Sequence, residues 1–100
     1  MPAMTAGMNT TIAVVATNAA LTKAGATKMA QMAHDGLARS IRPVHTPFDG
    51  DTVFALSLGE RSGDIGRIGA VGAEVLAEAV LNAVRAAESL GGLPAIRDLT

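Results

Sequence analysis

Two short polar segments carry most of the residues whose side chains could support catalysis. Thr10 lies in the stretch 7–11, directly before an apolar run, and its hydroxyl could act as a nucleophile if a base lay near it. Asp49 and Asp51 flank Gly50 directly before a second apolar run, so both carboxylates could point into one site. Each also has a plainer interpretation, because threonine is common in strands and Asp-Gly-Asp is typical of turns.

Two histidines and a glycine series complete the candidates. His45 lies in a loop, where a lone histidine is more often structural than catalytic, and His34 falls near the polar side of a predicted helix. The glycines lack both the Gly-x-Gly-x-x-Gly order and the Gly-Lys-Ser/Thr end of phosphate-binding loops. They predict instead a flexible helix start and a close-packing helix face; the series is Gly63, Gly66, Gly69 and Gly72.

Composition excludes several classes of protein. A chain of 100 residues forms one domain at most. With 8 basic residues, 9 acidic residues and 2 aromatic residues, it has neither a basic stripe nor an aromatic platform, so nucleic-acid binding is not expected. The absence of cysteine excludes disulfides, thiolate nucleophiles and zinc–cysteine sites. The Asp-Gly-Asp loop offers too few oxygen or imidazole ligands for a metal.

Nothing in the sequence predicts association with a membrane. The chain contains no apolar run of the length that a membrane-spanning helix needs. The stretch 1–7 carries no lysine or arginine, so we expect no ordinary secretory signal there. Together with the lack of cysteine, this leads us to expect a cytoplasmic location.

The hydrophobic pattern predicts four elements in the order strand, helix, strand, helix, at 11–17, 23–40, 52–58 and 68–87. The first strand is a short β-branched apolar run, which is typical of a strand buried on both faces. Thr22 is positioned to cap the first helix, which should end near Ser40 because Pro43 cannot continue it. We interpret 18–21 as a turn and 59–64 as a polar break.

This order fits two architectures. The first helix could cross between parallel strands in a βαβ unit, or the chain could be half of a layered α/β sandwich that another chain completes. Two strands make a poor independent sheet. The apolar residues are mostly small, and each buries little surface. We therefore expect a partner to cover part of the chain.

The segments around these residues resemble the DmpA-type aminopeptidase family, which includes the β-peptidyl aminopeptidases and the nylon-oligomer (6-aminohexanoate) hydrolase. The resemblance extends from about Gly7 to Leu99, nearly the whole chain. Five segments carry the resemblance. They are the stretch around Thr10 (7–18), a segment of the first predicted helix (34–39), a segment that contains Pro43 (41–46), the Asp-Gly-Asp segment (49–55) and a Gly-Gly-Leu-Pro-Ala tail (91–95).

The resemblance implies a function and a set of site residues. Members of the family are made as one precursor that cuts itself into an α chain and a β chain, and the first residue of the β chain is the nucleophile. By motif match this residue is Thr10, the cut falls between Asn9 and Thr10, and Asp51, with Asp49 behind it, orients the Thr10 amine and hydroxyl. The implied substrates are short peptides, β-peptides or ω-amino-acid oligomers, and no metal or organic cofactor is implied.

The resemblance also implies a fold and partners. The family fold is a four-layer α/β/β/α sandwich, of which the strand–helix–strand–helix order would form half. The implied partner is an α chain of the same precursor, with αβ units assembling into oligomers. We expect residues 1–9 to be a lead-in, the remnant of a linker before the cut, and residues 10–100 to be a single domain that bears the nucleophile.

The α chain of the family supplies most of the substrate pocket, including an oxyanion-stabilising asparagine and a nearby lysine. Because the present sequence has no counterpart of that chain, we expect a truncated or excised β region that is inactive by itself. The alternative is a non-catalytic fragment that acts only as a subunit-interaction domain.

Overall fold

The computed structural model of the chain describes residues 9–47 and 49–99. Within them the chain forms two strands and two long helices, followed by a short 3-10 helix at Ile96–Asp98. The long elements are β1 (Ile12–Ala19), α1 (Lys23–Ser40), β2 (Thr52–Arg61) and α2 (Ile65–Ala86). The predicted order is confirmed. The predicted lead-in at 1–9 lies outside the described residues except for Asn9.

The two strands pair in parallel, as a helix connection between them requires. Ile12 lies opposite Thr52, and the same register continues to Thr17 opposite Ser57. An irregularity then precedes the pairing of Ala19 with Arg61. The helix α1 therefore returns the chain so that the beginnings of both strands lie at the same end of the sheet.

Both strands run further than their composition predicts. The interpretation of 18–21 as a turn is wrong for Asn18 and Ala19, and that of 59–64 as a break is wrong for 59–61. The Ser57 hydroxyl donates to the Ala19 carbonyl at 2.6 Å and accepts from the Leu21 backbone N–H at 2.9 Å. This side chain, 36 residues from Leu21, holds the end of β1 in place.

Each of the two long helices begins at a side-chain cap. The Thr22 hydroxyl accepts from the Gly25 backbone N–H at 3.0 Å, as its position predicts. The Asp64 carboxylate accepts from the Arg67 backbone N–H at 3.2 Å, so α2 begins at Ile65, three residues earlier than its apolar pattern indicates. Three glycines of the series consequently lie inside α2.

The core lies between the two helices and one face of the sheet. Met29, Ala33 and Leu37 from α1 are buried against Leu76 from α2 and Val15 from β1. The helices approach closely because each has a glycine at their contact, Gly36 in α1 and Gly69 in α2. A Cβ at Gly36 would overlap the Ala73 carbonyl oxygen, and one at Gly69 would overlap the Met32 sulfur.

The opposite face of the sheet is uncovered within this chain. It presents five large apolar side chains, namely Ile12, Val14, Phe54, Leu56 and Leu58. Phe54 is 55% exposed and Leu58 is 73% exposed. The expectation that the first strand is buried on both faces is therefore wrong for this chain, because both helices pack on the same side. We call these five residues the uncovered sheet face.

None of the helices within the described residues has the length and apolar character needed to span a membrane. The charged residues of α2 lie on its exposed side, as their spacing predicts.

Candidate active site

The parallel pairing extends beyond the strands and places the predicted site residues at one end of the sheet. Asn9 forms an isolated parallel bridge with Asp49, in the same register that pairs Ile12 with Thr52. Thr10 therefore falls beside Gly50 in this register, and Thr11 falls beside Asp51. Two segments that are far apart in sequence thus lie side by side.

Two backbone hydrogen bonds hold these segments together. The Gly50 N–H donates to the Asn9 carbonyl at 2.6 Å, and the Thr52 N–H donates to the Thr11 carbonyl at 2.9 Å. The peptide bond that joins Asn9 to Thr10 consequently has its carbonyl oxygen bound to a backbone donor of the Asp-Gly-Asp segment.

Asp51 is the buried carboxylate of this region. Its side chain is 5% exposed, and its Oδ1 accepts from the Thr11 backbone N–H at 3.0 Å. Its Oδ2 lies 3.0 Å from His45 Nδ1, but no hydrogen bond of normal geometry reaches that oxygen from the described residues. A buried carboxylate oxygen without an aligned donor lowers stability, because the water lost on burial is not replaced by a hydrogen bond.

Asp49 makes a different set of contacts. Its Oδ2 accepts from the Thr46 backbone N–H at 2.8 Å and from the Thr46 hydroxyl at 2.9 Å. Its own backbone N–H donates to the Thr46 carbonyl at 3.0 Å. These contacts are the turn chemistry that the Asp-Gly-Asp sequence allows, and they fix the loop from which Gly50 and Asp51 project.

Thr10 is exposed and lies two residues before the first residue of β1. Within the described part of the chain, no hydrogen bond joins its hydroxyl to Asp49 or Asp51. The structure thus brings the Thr10 backbone beside the Asp-Gly-Asp segment without a contact between the hydroxyl and either carboxylate.

The histidines form a pair that sequence reasoning missed. The rings of His34 and His45 meet edge to face, with centroids 5.1 Å apart. His34 is half-buried, and its Nδ1 is buried without a hydrogen-bond partner in the described residues. The sequence predicts His34 near the polar side of α1, and the structure shows it half-buried there. No spacing rule relates a helix histidine to a loop histidine, so no signal in the sequence could have identified this contact.

Within the described residues, no group of three or more histidine, cysteine, aspartate or glutamate side chains is arranged to hold a metal ion. The site instead contains the Gly50 N–H bound to the Asn9 carbonyl, the buried carboxylate of Asp51 beside it, and the hydroxyl-bearing Thr10 between them.

The sequence model of peptidase family S58 matches residues 2–96. The chain belongs to peptidase family S58. This match confirms the resemblance to the DmpA-type aminopeptidases.

Relatives within family S58 share much of the chain. It is 48% identical over 102 residues to an uncharacterized aminopeptidase of Mycobacterium leprae, covering 87% of this chain and 28% of that protein. It is 44% identical over 106 residues to an uncharacterized aminopeptidase of Mycobacterium tuberculosis, covering 91% of this chain and 31% of that protein.

A third relative is a 6-aminohexanoate-oligomer endohydrolase of a Kocuria species, with 33% identity over 98 residues, covering 85% of this chain and 28% of that protein. The chain therefore spans about three tenths of the length of these family S58 relatives.

Proposed function

We propose that this chain is the nucleophile-bearing β part of a self-cleaving amide hydrolase, an aminopeptidase of the N-terminal-threonine type. Thr10 is the nucleophile, the Asn9–Thr10 bond is the point of cleavage, and Asp51 orients the Thr10 amine. Membership of family S58 supports this proposal. So do the names of the relatives, which are aminopeptidases and a 6-aminohexanoate-oligomer endohydrolase.

The observation that carries the proposal is the hydrogen bond from Gly50 N–H to the Asn9 carbonyl, at 2.6 Å. A backbone donor on a carbonyl stabilises the negative charge that develops on its oxygen during nucleophilic attack. The residue that follows this carbonyl is Thr10, whose hydroxyl is the closest nucleophile along the chain. The arrangement suits attack by a threonine on its own preceding peptide bond.

Self-cleavage then proceeds in two steps, formation of an ester and its hydrolysis. The Thr10 oxygen attacks the Asn9 carbonyl carbon and forms an ester. The Asn9–Thr10 C–N bond breaks, and the hydroxyl proton ends on the Thr10 nitrogen, which leaves as a primary amine. Water next hydrolyses the ester, which restores the Thr10 hydroxyl and leaves Asn9 with a carboxylate. The product begins at Thr10 and has a free α-amine.

That amine supplies the base that an internal threonine lacks. An α-amino group has a reference pKa of about 7.7–8.0, which suits a general base near neutral pH. It accepts the Thr10 hydroxyl proton as the oxygen attacks a substrate amide, the substrate amine leaves with a proton, and water hydrolyses the resulting ester. Asp51 holds the backbone N–H of Thr11, the next residue, and so lies within reach of the new terminus.

We further propose that an α chain covers the uncovered sheet face and completes a four-layer α/β/β/α sandwich. Five large apolar side chains on one sheet face, including Phe54 and Leu56, are typical of a surface that another layer covers. The length that the relatives have beyond this match is sufficient for such a partner. The proposed substrates are short peptides, β-peptides or ω-amino-acid oligomers, and the proposed assembly is an oligomer of αβ units.

The second candidate is a non-catalytic subunit-interaction domain. The uncovered sheet face favours it as much as it favours the enzyme, because both would pair with an α-type chain. The two candidates differ in the Asn9–Thr10 bond, which only the enzyme needs to cut.

The test uses a reconstituted enzyme, in which this chain replaces the matching segment of the Mycobacterium leprae relative. Intact mass should show cleavage before Thr10 in the parent protein, no cleavage in Thr10→Ala, and slower cleavage in Thr10→Ser, which keeps the hydroxyl but loses the methyl that restricts its rotamer. Hydrolysis of 6-aminohexanoate oligomers or short peptides should accompany the cut. Thr11→Ala is the matched control and should still be cut. A Thr10→Ala protein that hydrolyses substrate at the parent rate would place the nucleophile elsewhere.

A further inference from the structure

His45 has a left-handed backbone conformation, which glycine adopts more readily than any other residue. Its φ is 54°, and it is the one residue other than glycine in the described part of the chain with a positive φ. This left-handed region is uncommon for side chains other than asparagine, aspartate and histidine, and it costs of order 1–3 kcal/mol where the surroundings impose it. Glycine would adopt it freely, so the backbone alone does not explain an imidazole here.

The His45 imidazole lies beside the buried carboxylate of Asp51. His45 Nδ1 is 3.0 Å from Asp51 Oδ2, while Asp51 Oδ1 is held by the Thr11 backbone N–H. The His45 side chain is 41% exposed, and that of Asp51 is 5% exposed. A ring nitrogen that carries hydrogen attracts the carboxylate, whereas a bare lone pair would repel it. His45 therefore restricts the rotation of Asp51 from the side opposite to Thr11.

The His45 ring is in turn restricted by α1. His34 meets it edge to face, at 61° between the ring planes. The ionisable groups that face His45 are thus His34 from α1 and Asp51 from the start of β2. Asp49 belongs to the same loop, but its Oδ2 is occupied by Thr46. The strained turn and the ring contact together hold one imidazole against one carboxylate.

We propose that His45 is a positioning residue for the reaction, acting through Asp51. It keeps the carboxylate oriented with Oδ1 on the Thr11 N–H, one residue from the nucleophile, and it supplies a hydrogen-bearing nitrogen beside the otherwise unsupported Oδ2. This inference rests on the proposed function, because it assigns no role to His45 unless Asp51 acts on Thr10.

The experiment compares His45→Asn with His45→Asp in the reconstituted enzyme. Both residues tolerate the left-handed backbone and have nearly the same shape. Asparagine presents an N–H close to the position of Nδ1, whereas aspartate presents a second negative charge to Asp51. We expect self-cleavage and kcat within a few-fold of the parent for His45→Asn. We expect a loss of about ten- to hundredfold for His45→Asp, the size of effect that misplacing a catalytic group produces.

The division of the effect between kcat and KM provides a second readout that a purely structural role would not move. Because His45 is proposed to act through Asp51 on the nucleophile and not on bound substrate, His45→Asp should lower kcat while KM stays within a few-fold of the parent value. His45→Gly controls for the turn, since it removes the backbone strain and the imidazole together; it should unfold at the parent temperature or above while losing activity.

Parallel measurements on Thr10→Ala and Asp51→Asn separate the two ways of failing. If Thr10→Ala remains active, the proposed function is wrong. If Thr10→Ala and Asp51→Asn are inactive while His45→Asn and His45→Asp have the kcat and KM of the parent, only the inference about His45 is overturned. Equal rates in the parent and His45→Gly overturn it as well.

Discussion

Asp51 has a buried carboxylate that lies next to the segment of Thr10 and Thr11. Removing an ionised carboxylate from water is costly unless hydrogen bonds replace the water. Within the described residues, Asp51 has one such bond, from Thr11, and its second oxygen has only the His45 nitrogen nearby. Stability alone would favour a neutral side chain here, so the carboxylate is better explained by what it does to the adjacent threonine segment.

For this residue we predict that Asp51→Asn lowers activity without lowering stability. The amide has the same shape but no charge, so self-cleavage and hydrolysis should fall by about a hundredfold or more, in the range of general acid–base contributions. The unfolding temperature should stay the same or rise, because a desolvated charge is removed. Single-turnover cleavage, followed by mass, and thermal unfolding measure the two effects; full activity in Asp51→Asn would remove it from the site.

Asp49→Ala serves as the comparison within the same loop. It removes the acceptor of two Thr46 hydrogen bonds, so it should lower the free energy of unfolding by about 1–2 kcal/mol. Its rate should fall in the same direction as that of Asp51→Asn, because the loop positions Asp51. The double variant should be less than additive.

At the scale of elements, the contact between α1 and α2 depends on missing side chains. Gly36 lies against the Ala73 backbone, where a Cβ would overlap the carbonyl oxygen. Glycine in the middle of a helix destabilises it by roughly 0.5–1 kcal/mol relative to alanine. The close approach that it permits offsets this cost by bringing Met29, Leu37 and Leu76 into one core.

We therefore predict opposite effects for two glycine-to-alanine changes. Gly36→Ala should destabilise the protein, because overpacking costs typically about 1–3 kcal/mol and exceeds the gain in helix propensity. Gly72→Ala on α2 is the matched control: its Cβ would lie 4.0 Å from Met29 Cγ, an ordinary contact, so it should stabilise by up to about 1 kcal/mol. Urea unfolding midpoints of the reconstituted enzyme give the comparison. A stabilised Gly36→Ala would show that the helices can separate without cost.

At the scale of the whole molecule, both helices pack on one side of a two-stranded sheet. The other side exposes Ile12, Val14 and three apolar residues of β2. Apolar area of this kind, together with the open edges of a short sheet, promotes association between chains. The packing of both helices on one side of the sheet thus leaves this apolar face exposed.

We predict that the chain by itself self-associates through the uncovered sheet face. Sedimentation over a range of concentrations should show larger species, and the double change Phe54→Lys and Leu56→Glu should reduce them. Leu99→Lys is the control, because Leu99 is 67% exposed but lies outside the sheet. A chain that remains a monomer at all concentrations and unfolds cooperatively would contradict the proposed half-sandwich.

The local signals in the sequence determined the type and order of the elements. Thr22 and Pro43 bound α1 through interactions with their immediate neighbours, and short apolar runs marked both strands. The motif residues Thr10, Asp49 and Asp51 were identified by resemblance to a family, and it is the parallel pairing in the structure that brings their segments to one end of the sheet. These features depend on short stretches of chain, so the sequence suffices for them.

Tertiary structure alone decided the features that depend on distant residues. The full length of β1 follows from Ser57, 38 residues beyond Ala19. The support of Asp51 by His45, and of His45 by His34, follows from how α1 packs against the loop before β2. Apolar alternation predicts that a strand face is buried but not which layer buries it. The sheet face expected to be covered is exposed within the described residues because both helices pack against the other face.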